Sequence, residues 1–436
     1  MSDWRRVQRA YLLLTLLTTL AASLIWGINT LFLLDAGLSN TQAFAANAFF
    51  TVGLVLSEIP TGVVADTTGR RRSFLLGTGT LLLSTLLYLL MWQISGPFWG
   101  WAVSSALIGL GFAFFSGAVE AWLVDALGAT GFPGALESVF AKGQVVEGGG
   151  MLVGSVAGGF IAQATNLGVP YVLRAAMLAG TLAVALFVMH DLGFKPERAK
   201  HPVTEVKRVL RASVSGGLGN RPVRWVMLEA PFTMGVGIYA FYAMQPYLLE
   251  LYGDPSAFGV AGLAAAVVAG AQIVGGFAVP LVRRMVSRRT HALLAAGVVS
   301  VGALVLMGLT DSFVVALALL VVWGLTSAAS TPLRQAYLNG LVPSAQRATI
   351  LSFDSLMASA GGVVAQPVLG RVADASGYAA SYVVSGAISA LALPFLLLAR
   401  RENASSDPIV HGEDAEGAEV TPPAVPVEAE RLPGSD

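Results

Sequence analysis

The amino-acid sequence predicts an all-α membrane protein with twelve transmembrane helices, arranged as two pseudosymmetric six-helix bundles. Only 12% of the residues are charged and 55% are hydrophobic, and the mean hydropathy is +0.70, which excludes an ordinary soluble globule. Twelve apolar stretches, each about twenty residues or longer, can cross ~30 Å of hydrocarbon as helices. These stretches lack the alternating pattern of outer-membrane strands.

One long polar connection divides the apolar stretches six and six. It predicts an N-terminal bundle over residues 1–190, a basic cytoplasmic linker over 191–220 and a C-terminal bundle over 221–400. The linker is either a solvated segment or a short amphipathic helix on the membrane surface. Residues 401–436 mix acidic residues with prolines, which predicts a disordered cytoplasmic tail. The halves share a glycine pattern, because Gly149, Gly150 and Gly158 recur as Gly361, Gly362 and Gly370.

Basic residues set the expected orientation. With the N-terminus in the cytoplasm, the cytoplasmic loops receive most of the arginines, and the other face has little beyond Arg371, with Arg174 just inside a span. The positive-inside rule then places both termini in the cytoplasm of a plasma (inner) membrane protein.

A glycine-rich and basic turn separates the second and third spans. Residues 62–72 read Gly-Val-Val-Ala-Asp-Thr-Thr-Gly-Arg-Arg-Arg, and this segment resembles the signature loop of the major facilitator superfamily of secondary transporters. The resemblance implies that the glycine allows close helix approach, that the aspartate caps a neighbouring helix and that the first arginine pairs with an acid at the end of span four. The expected gate residues are Gly62, Asp66, Gly69, Arg70 and Asp125.

Span five carries a ladder of glycines. Gly150, Gly154 and Gly158 lie on one helical face, followed by Gly159, which allows another helix to approach closely. The ladder is similar to the antiporter motif of superfamily drug exporters and implies export by proton exchange; generic close packing is the alternative. Ser155 replaces the usual proline, and Ser105 stands where these exporters carry an arginine in span four.

Acidic residues inside spans are costly and are candidates for proton coupling. Glu147 in span five, Glu58 in span two and Glu120 in span four are the candidates, and Glu147 is preferred because it shares the glycine face. Burial in a weakly polar site would raise a carboxyl pKa towards neutrality. Structural pairing with Lys142 or Arg334 is the alternative for these acids and for Glu229.

Polar and aromatic residues at mid-span predict a substrate cavity. The candidates are Trp26, Asn29, Tyr239, Tyr242 and Gln245. Aromatic belts at the membrane interface are the alternative interpretation.

Other function classes find no support in the sequence. The chain has no cysteine, its 4 histidines lack metal-ligand spacing, and no phosphate-binding loop is present, so we expect no enzyme, cofactor, metal or nucleic-acid partner. The sequence favours secondary active transport of a small molecule by alternating access. The preferred form is a monomeric, proton-coupled exporter of a hydrophobic or amphipathic compound. Proton symport or uniport for uptake is the alternative, and a transporter-like sensor or assembly protein is the third option.

Overall fold

The computed structural model describes residues 3–196, 217–342 and 347–409, and the named elements within them are all α-helices. Spans are numbered here along the chain; α1 and α2 form span 1, α5 and α6 form span 4, and the other helices of this half form one span each. The first half contains α1 (Asp3–Trp26), α2 (Asn29–Asp35), α3 (Asn40–Thr68), α4 (Arg70–Gln93), α5 (Phe98–Phe115), α6 (Ala118–Ala129), α7 (Leu136–Ala164) and α8 (Val169–Val188).

The second half repeats this plan. It contains α9 (Arg221–Tyr252), α10 (Phe258–Phe277), α11 (Val279–Met285), α12 (Arg289–Leu309), α13 (Phe313–Asn339), α14 (Arg347–Ala390) and α15 (Ala392–Arg401). Helices α9, α12 and α13 are spans 7, 9 and 10, and α10 with α11 forms span 8.

The last helical stretch crosses the membrane twice. The described residues contain 11 stretches that are long and apolar enough to span, and the last, Ile350–Arg401, has 52 residues. At 1.5 Å per residue it measures ~78 Å, more than twice the hydrocarbon thickness. Gly377 turns it, with φ 82° and ψ 169°, and so separates span 11 from span 12. The predicted twelve spans are therefore confirmed.

The two halves meet along two seams. Span 2 packs against span 11, and span 5 packs against span 8. The second seam is very close, since a Cβ on Gly262 would lie 3.0 Å from the Cα of Gly159. The face where α1 begins is called the N-terminal face below, and the other the opposite face.

On the opposite face, the halves are joined by hydrogen bonds at the start of span 2. The carboxylate of Asp374, in span 11, accepts from the backbone N–H groups of Asn40 (2.8 Å) and Thr41 (2.9 Å) and from the Thr41 hydroxyl (2.5 Å). The hydroxyl of Tyr378 also donates to the Asn40 side chain. These contacts hold the opposite face closed.

Span 1 is broken between Trp26 and Asn29, where α1 ends and α2 begins. An unbroken helix would join the Thr30 N–H to the Trp26 carbonyl. Instead, Gln245 of span 7 binds both groups: its amide oxygen accepts from the Thr30 N–H (2.9 Å), and its amide nitrogen donates to the Trp26 carbonyl (2.7 Å). The second half thus supplies the partners that the break leaves open.

The chain just after span 12 is ordered, although the sequence predicted a disordered tail from residue 401. Asp407 is buried and accepts from the backbone N–H and the hydroxyl of Thr290, both at 2.9 Å, and Ile409 donates to the carbonyl of Ser287 at 2.9 Å. At the start of span 9, the Asp407 carboxylate satisfies the Thr290 N–H and the Asp407 carbonyl satisfies the Arg289 N–H, two groups that lack helical partners. These contacts order the chain up to residue 409. The rest of the predicted tail, and most of the predicted linker with its amphipathic alternative, lie outside the described residues.

Candidate functional site

The turn between spans 2 and 3 is built on Gly69. Its φ of 113° favours glycine, and a Cβ there would collide with the carboxylate of Asp191. Asp191, at the end of the first half, accepts from the Arg71 N–H at 2.8 Å and so caps the start of span 3. The resemblance gave the capping role to Asp66. In this structure Asp191 performs it, and sequence reasoning missed that residue.

The expected gate pair between Arg70 and Asp125 is not formed. Arg70 instead binds Asp66, which lies four residues earlier on the other side of the Gly69 turn. Asp125 is partly buried where Gly193, in the segment after span 6, crosses span 4. Gly62 also differs from expectation, because a Cβ there would have no atom within 4 Å, so no helix approaches it closely here.

The glycine ladder of span 5 faces span 1. A Cβ on Gly158 would overlap the backbone of Leu24, and a Cβ on Gly150 would lie 3.3 Å from the Thr19 methyl group. The hydroxyl of Ser23 donates to the Gly150 carbonyl at 3.1 Å, which ties the two helices together. Only the last glycine of the motif, Gly159, faces the other half, so the ladder packs mainly within the first bundle.

A cavity of about 250 Å³ lies within the first half, between spans 1, 3, 4, 5 and 6. Its wall combines aromatic and aliphatic side chains with hydroxyls, two carboxylates and one guanidinium. The lining residues are Tyr11, Thr15, Thr18, Thr19, Ala22, Ser23, Trp26, Phe74, Leu81, Phe112, Phe115, Val119, Glu120, Glu147, Met151, Arg174 and Leu178.

Two of the three candidate proton-coupling acids line this cavity. Glu147 and Glu120 are both in its wall, and Glu58 is exposed elsewhere. Glu147 is itself exposed, which differs from the expected burial, because it faces open space on the cavity side of span 5. Among the described residues Glu147 forms no ion pair with Lys142, which is also exposed.

The residues predicted to line a substrate cavity separate into four groups. Trp26 lines the cavity. Asn29 is buried in a network with Asn47 (3.0 Å) and the Tyr171 hydroxyl (2.9 Å), and the Tyr239 hydroxyl donates to Ser381 at 2.6 Å in the core of the second half. Gln245 joins the halves as described above. Tyr242 lies within electrostatic reach of Arg174 without lining the cavity. Helical spacing alone does not separate packed polar residues from those that face a cavity.

Arg174 is the cavity residue that sequence reasoning missed. It lies in span 6, only 2% exposed, where its Nε donates to the Thr85 hydroxyl (3.1 Å) and its Nη1 to the Ala21 carbonyl (3.0 Å). Its Nη2 is buried without a hydrogen-bond partner. The available signal was a charged residue inside an apolar span, which is functional by default. In the sequence, Arg174 bears only on the expected membrane orientation.

The second half contains a buried ion cluster instead of a cavity acid. Arg334 donates to both carboxylate oxygens of Asp354 (2.5 and 2.7 Å) and through Nε to Glu229 (2.8 Å). The hydroxyl of Thr233 binds the other Glu229 oxygen at 2.9 Å. Glu229 and Asp354 are thus structural partners of Arg334 in this conformation.

A cavity between membrane-spanning helices, lined by apolar side chains and a few charged groups in a fold of two six-helix bundles, is typical of a multi-pass membrane transporter. The chain belongs to the Major Facilitator Superfamily, whose family model matches residues 11–325 and 273–426. It is therefore a transporter of a small molecule and not an enzyme. No curated protein sequence matches the chain significantly.

Solved structures of three transporters share this fold. The nucleoside transporter NupG has a TM-score of 0.73 at 11% identity, covering 90% of this chain and 98% of its own. A bacterial homolog of the human lysosomal transporter Spinster, inward-facing and unoccupied, has a TM-score of 0.70 at 17% identity. The match covers 93% of this chain and 98% of the homolog. A POT family transporter in complex with 5-aminolevulinic acid has a TM-score of 0.67 at 14% identity. The match covers 90% of this chain and 94% of that transporter. At these identities the likeness shows the fold alone.

Proposed function

We propose that this transporter is a proton-coupled exporter of a small amphipathic molecule. The observation that carries the proposal is the pair of carboxylates, Glu120 and Glu147, in the wall of a cavity that is otherwise lined largely by apolar and aromatic side chains. An apolar wall binds the hydrophobic part of a substrate, and a few polar groups orient it. The two carboxylates are the acidic groups in this wall, and each can bind either a proton or a cationic group of the substrate.

Exchange follows if proton and substrate compete for the same carboxylates. A deprotonated Glu147 attracts a cationic group of the substrate, and a protonated one does not. Each ligand then lowers the affinity for the other, and this negative coupling is reciprocal. A carrier that binds either the proton or the substrate, but not both at once, moves the two in opposite directions. Inward proton flow therefore drives substrate export.

Orientation and location belong to the same proposal. The N-terminal face carries the basic turn Arg70, Arg71 and Arg72, and the positive-inside rule makes it the cytoplasmic face. Both termini are then cytoplasmic, in the plasma membrane. The contacts of Asp374 join the halves at the opposite face, which supports entry of the substrate from the cytoplasm in this conformation. A single chain holds the whole cavity, which supports a functional monomer.

Uptake by proton symport or uniport is the second candidate. It is favoured by the fold shared with nucleoside and POT family transporters. The two candidates differ in the sign of coupled proton movement, since symport moves protons with the substrate and exchange moves them against it.

A flux experiment tests the proposal. Purified protein is reconstituted in liposomes that contain a pH-sensitive dye, and pools of amphipathic amines and amino acids are added outside without a pH gradient. Exchange predicts that inward substrate movement acidifies the outside and alkalinises the lumen. Glu147→Gln should abolish the proton signal and retain downhill substrate flux. Glu58→Gln, an acid of the same half outside the cavity wall, is the matched control and should behave as the parent protein.

Two outcomes would contradict exchange. Luminal acidification on substrate entry would establish symport instead. An unchanged proton signal in Glu147→Gln would remove Glu147 from the coupling and make Glu120, the other cavity acid, the remaining candidate.

A further inference from the structure

Arg174 is the most unusual charge in the cavity wall. Its guanidinium is almost fully buried, yet both of its hydrogen bonds go to neutral oxygens, the Thr85 hydroxyl and the Ala21 carbonyl. In the described part of the chain, no aspartate or glutamate forms an ion pair with it. One terminal nitrogen, Nη2, has no partner at all.

A buried charge without a counter-ion is costly in a protein that spans a membrane. Removal of an ion from water costs several kcal/mol unless an opposite charge and further hydrogen bonds compensate it. The same chain shows the compensated case in Arg334, which binds the carboxylates of both Asp354 and Glu229. The contrast between the two arginines indicates that Arg174 is kept for a counter-ion that arrives from outside the chain.

The position of Arg174 makes the cavity electrically polar. Gly150 packs beside Thr19, with a distance of 3.5 Å from its built Cβ to the Thr19 Cβ, so the levels of spans 1 and 5 can be compared. Glu147, three residues before Gly150, lies about five residues below Ala21, the level at which Arg174 binds. At 1.5 Å per residue the cation and the acid are ~8 Å apart along the membrane normal. The cavity therefore has a positive inner end and a negative end nearer the N-terminal face.

Size further restricts the ligand. The cavity of about 250 Å³ is smaller than the ~300–1,000 Å³ of pockets for drug-sized ligands. A planar guanidinium with free donors matches the two oxygens of a carboxylate. An amine at the other end of the ligand would face Glu147 and Glu120.

We infer that Arg174 is the binding site for the carboxylate of the transported substrate, and that this substrate is a small amphipathic amino acid whose amine faces Glu147 and Glu120. This inference rests on the proposed function in taking the cavity as the transport site. It goes beyond the proposed function, because recognition then requires a negatively charged group on the substrate as well as a positively charged one.

A purely structural role for Arg174 makes a different prediction. As a tie between spans 1, 3 and 6, it would stabilise the protein equally with and without ligand. The two roles are therefore separated by a ligand-dependent measurement and not by the stability of a variant alone.

The first test measures thermal stability in lipid nanodiscs, without transport or a proton gradient. The probes are 6-aminohexanoate, hexanoate and hexylamine at equal millimolar concentration and ionic strength. We expect Tm to rise by several degrees with 6-aminohexanoate, to rise less with hexanoate and to change least with hexylamine. In Arg174→Gln the response to hexanoate should disappear, and in Arg174→Lys it should weaken. Arg371→Gln, an exposed arginine on the opposite face, is the control and should respond as the parent protein does.

A second measurement needs no change at Arg174. Because the chain has no cysteine, Thr18→Cys places a single thiol in the cavity wall, and its maleimide labelling in membranes reports occupancy. Carboxylate probes should slow the labelling at least threefold, and hexylamine should slow it less.

The results separate the two proposals. Equal or better protection by hexylamine, no response of the parent protein to either carboxylate, or an intact hexanoate response in Arg174→Gln would each overturn the carboxylate site. None of these outcomes depends on proton coupling, so a failure of exchange in the flux assay leaves this test unaffected.

Discussion

Asp374→Ala should open the opposite face of the transporter. The Asp374 carboxylate belongs to the second half, and its hydrogen bonds go to Asn40 and Thr41, the first two residues of span 2 in the first half. These N–H groups have no partner within their own helix, and the helix dipole favours a negative charge beside them. The contacts exist only while the halves meet at this face, so their loss acts on the closed state alone.

The expected magnitude follows from the geometry. Loss of a carboxylate that caps a helix costs about 0.5–2 kcal/mol, and loss of its charge from the helix N-terminus costs about 0.3–1 kcal/mol more. A total of about 1–3 kcal/mol changes the ratio of open to closed by roughly 5- to 150-fold. If the parent protein is 1% open, the variant would be about 5–60% open.

Spin-label distance measurements can detect this shift. Gln93→Cys and Asp311→Cys place labels on exposed sites of the two halves at the opposite face, in a chain that has no other cysteine. Asp254→Ala is the matched control, because among the described residues that exposed carboxylate on the same face binds only Ser256 in its own loop, at 2.8 and 2.6 Å. A longer distance should gain population in Asp374→Ala only. Identical distance distributions in the two variants would refute the reasoning.

Three further predictions concern stability. Arg334→Met should destabilise the protein by about 3–5 kcal/mol in thermal or denaturant unfolding, because it strands two buried carboxylates; a loss below 1 kcal/mol would mean that the cluster is hydrated. Truncation after Ile409 should leave the Tm unchanged, whereas truncation after Asn403 removes Asp407, the cap of span 9, and should lower the stability by about 0.5–2 kcal/mol. Equal Tm values for the two truncated proteins would contradict the capping role of Asp407. Gly158→Ala should lower the Tm and the yield of folded protein, because its Cβ overlaps span 1, while Gly149→Ala on the same helix meets no atom within 4 Å and should be neutral.

The sequence predicted the fold much better than the site. Span length and composition are local properties, and they were sufficient to predict twelve membrane-spanning helices, although the turn at Gly377 between the last two was not identified from the sequence. The partners of polar residues depend on distant helices. Asn29 and Tyr239 have the spacing expected of cavity residues, yet their hydrogen bonds go to Asn47 and Ser381, which no local pattern indicates.

Charged residues show the same limit. The resemblance predicted an arginine–acid pair at the N-terminal face, but Arg70 binds Asp66, which lies just across the same turn. Arg174 and Arg334 look alike in sequence, each a single arginine in an apolar span. Only the structure distinguishes the one with two carboxylate partners from the one with none.

The break in span 1 links local secondary structure to the state of the whole molecule. The amide of Gln245 stands in for a single backbone hydrogen bond, between Thr30 and Trp26. When the halves separate, these two backbone groups either lose their partners, at a cost of several kcal/mol in a dry environment, or join each other directly. Span 1 is therefore expected to become one continuous helix as the opposite face opens. Hydrogen exchange at the Thr30 amide would then distinguish the two possibilities. Slow exchange in the opened state is expected for a continuous helix, whereas rapid exchange would show that water replaces Gln245 as the partner of the Thr30 N–H.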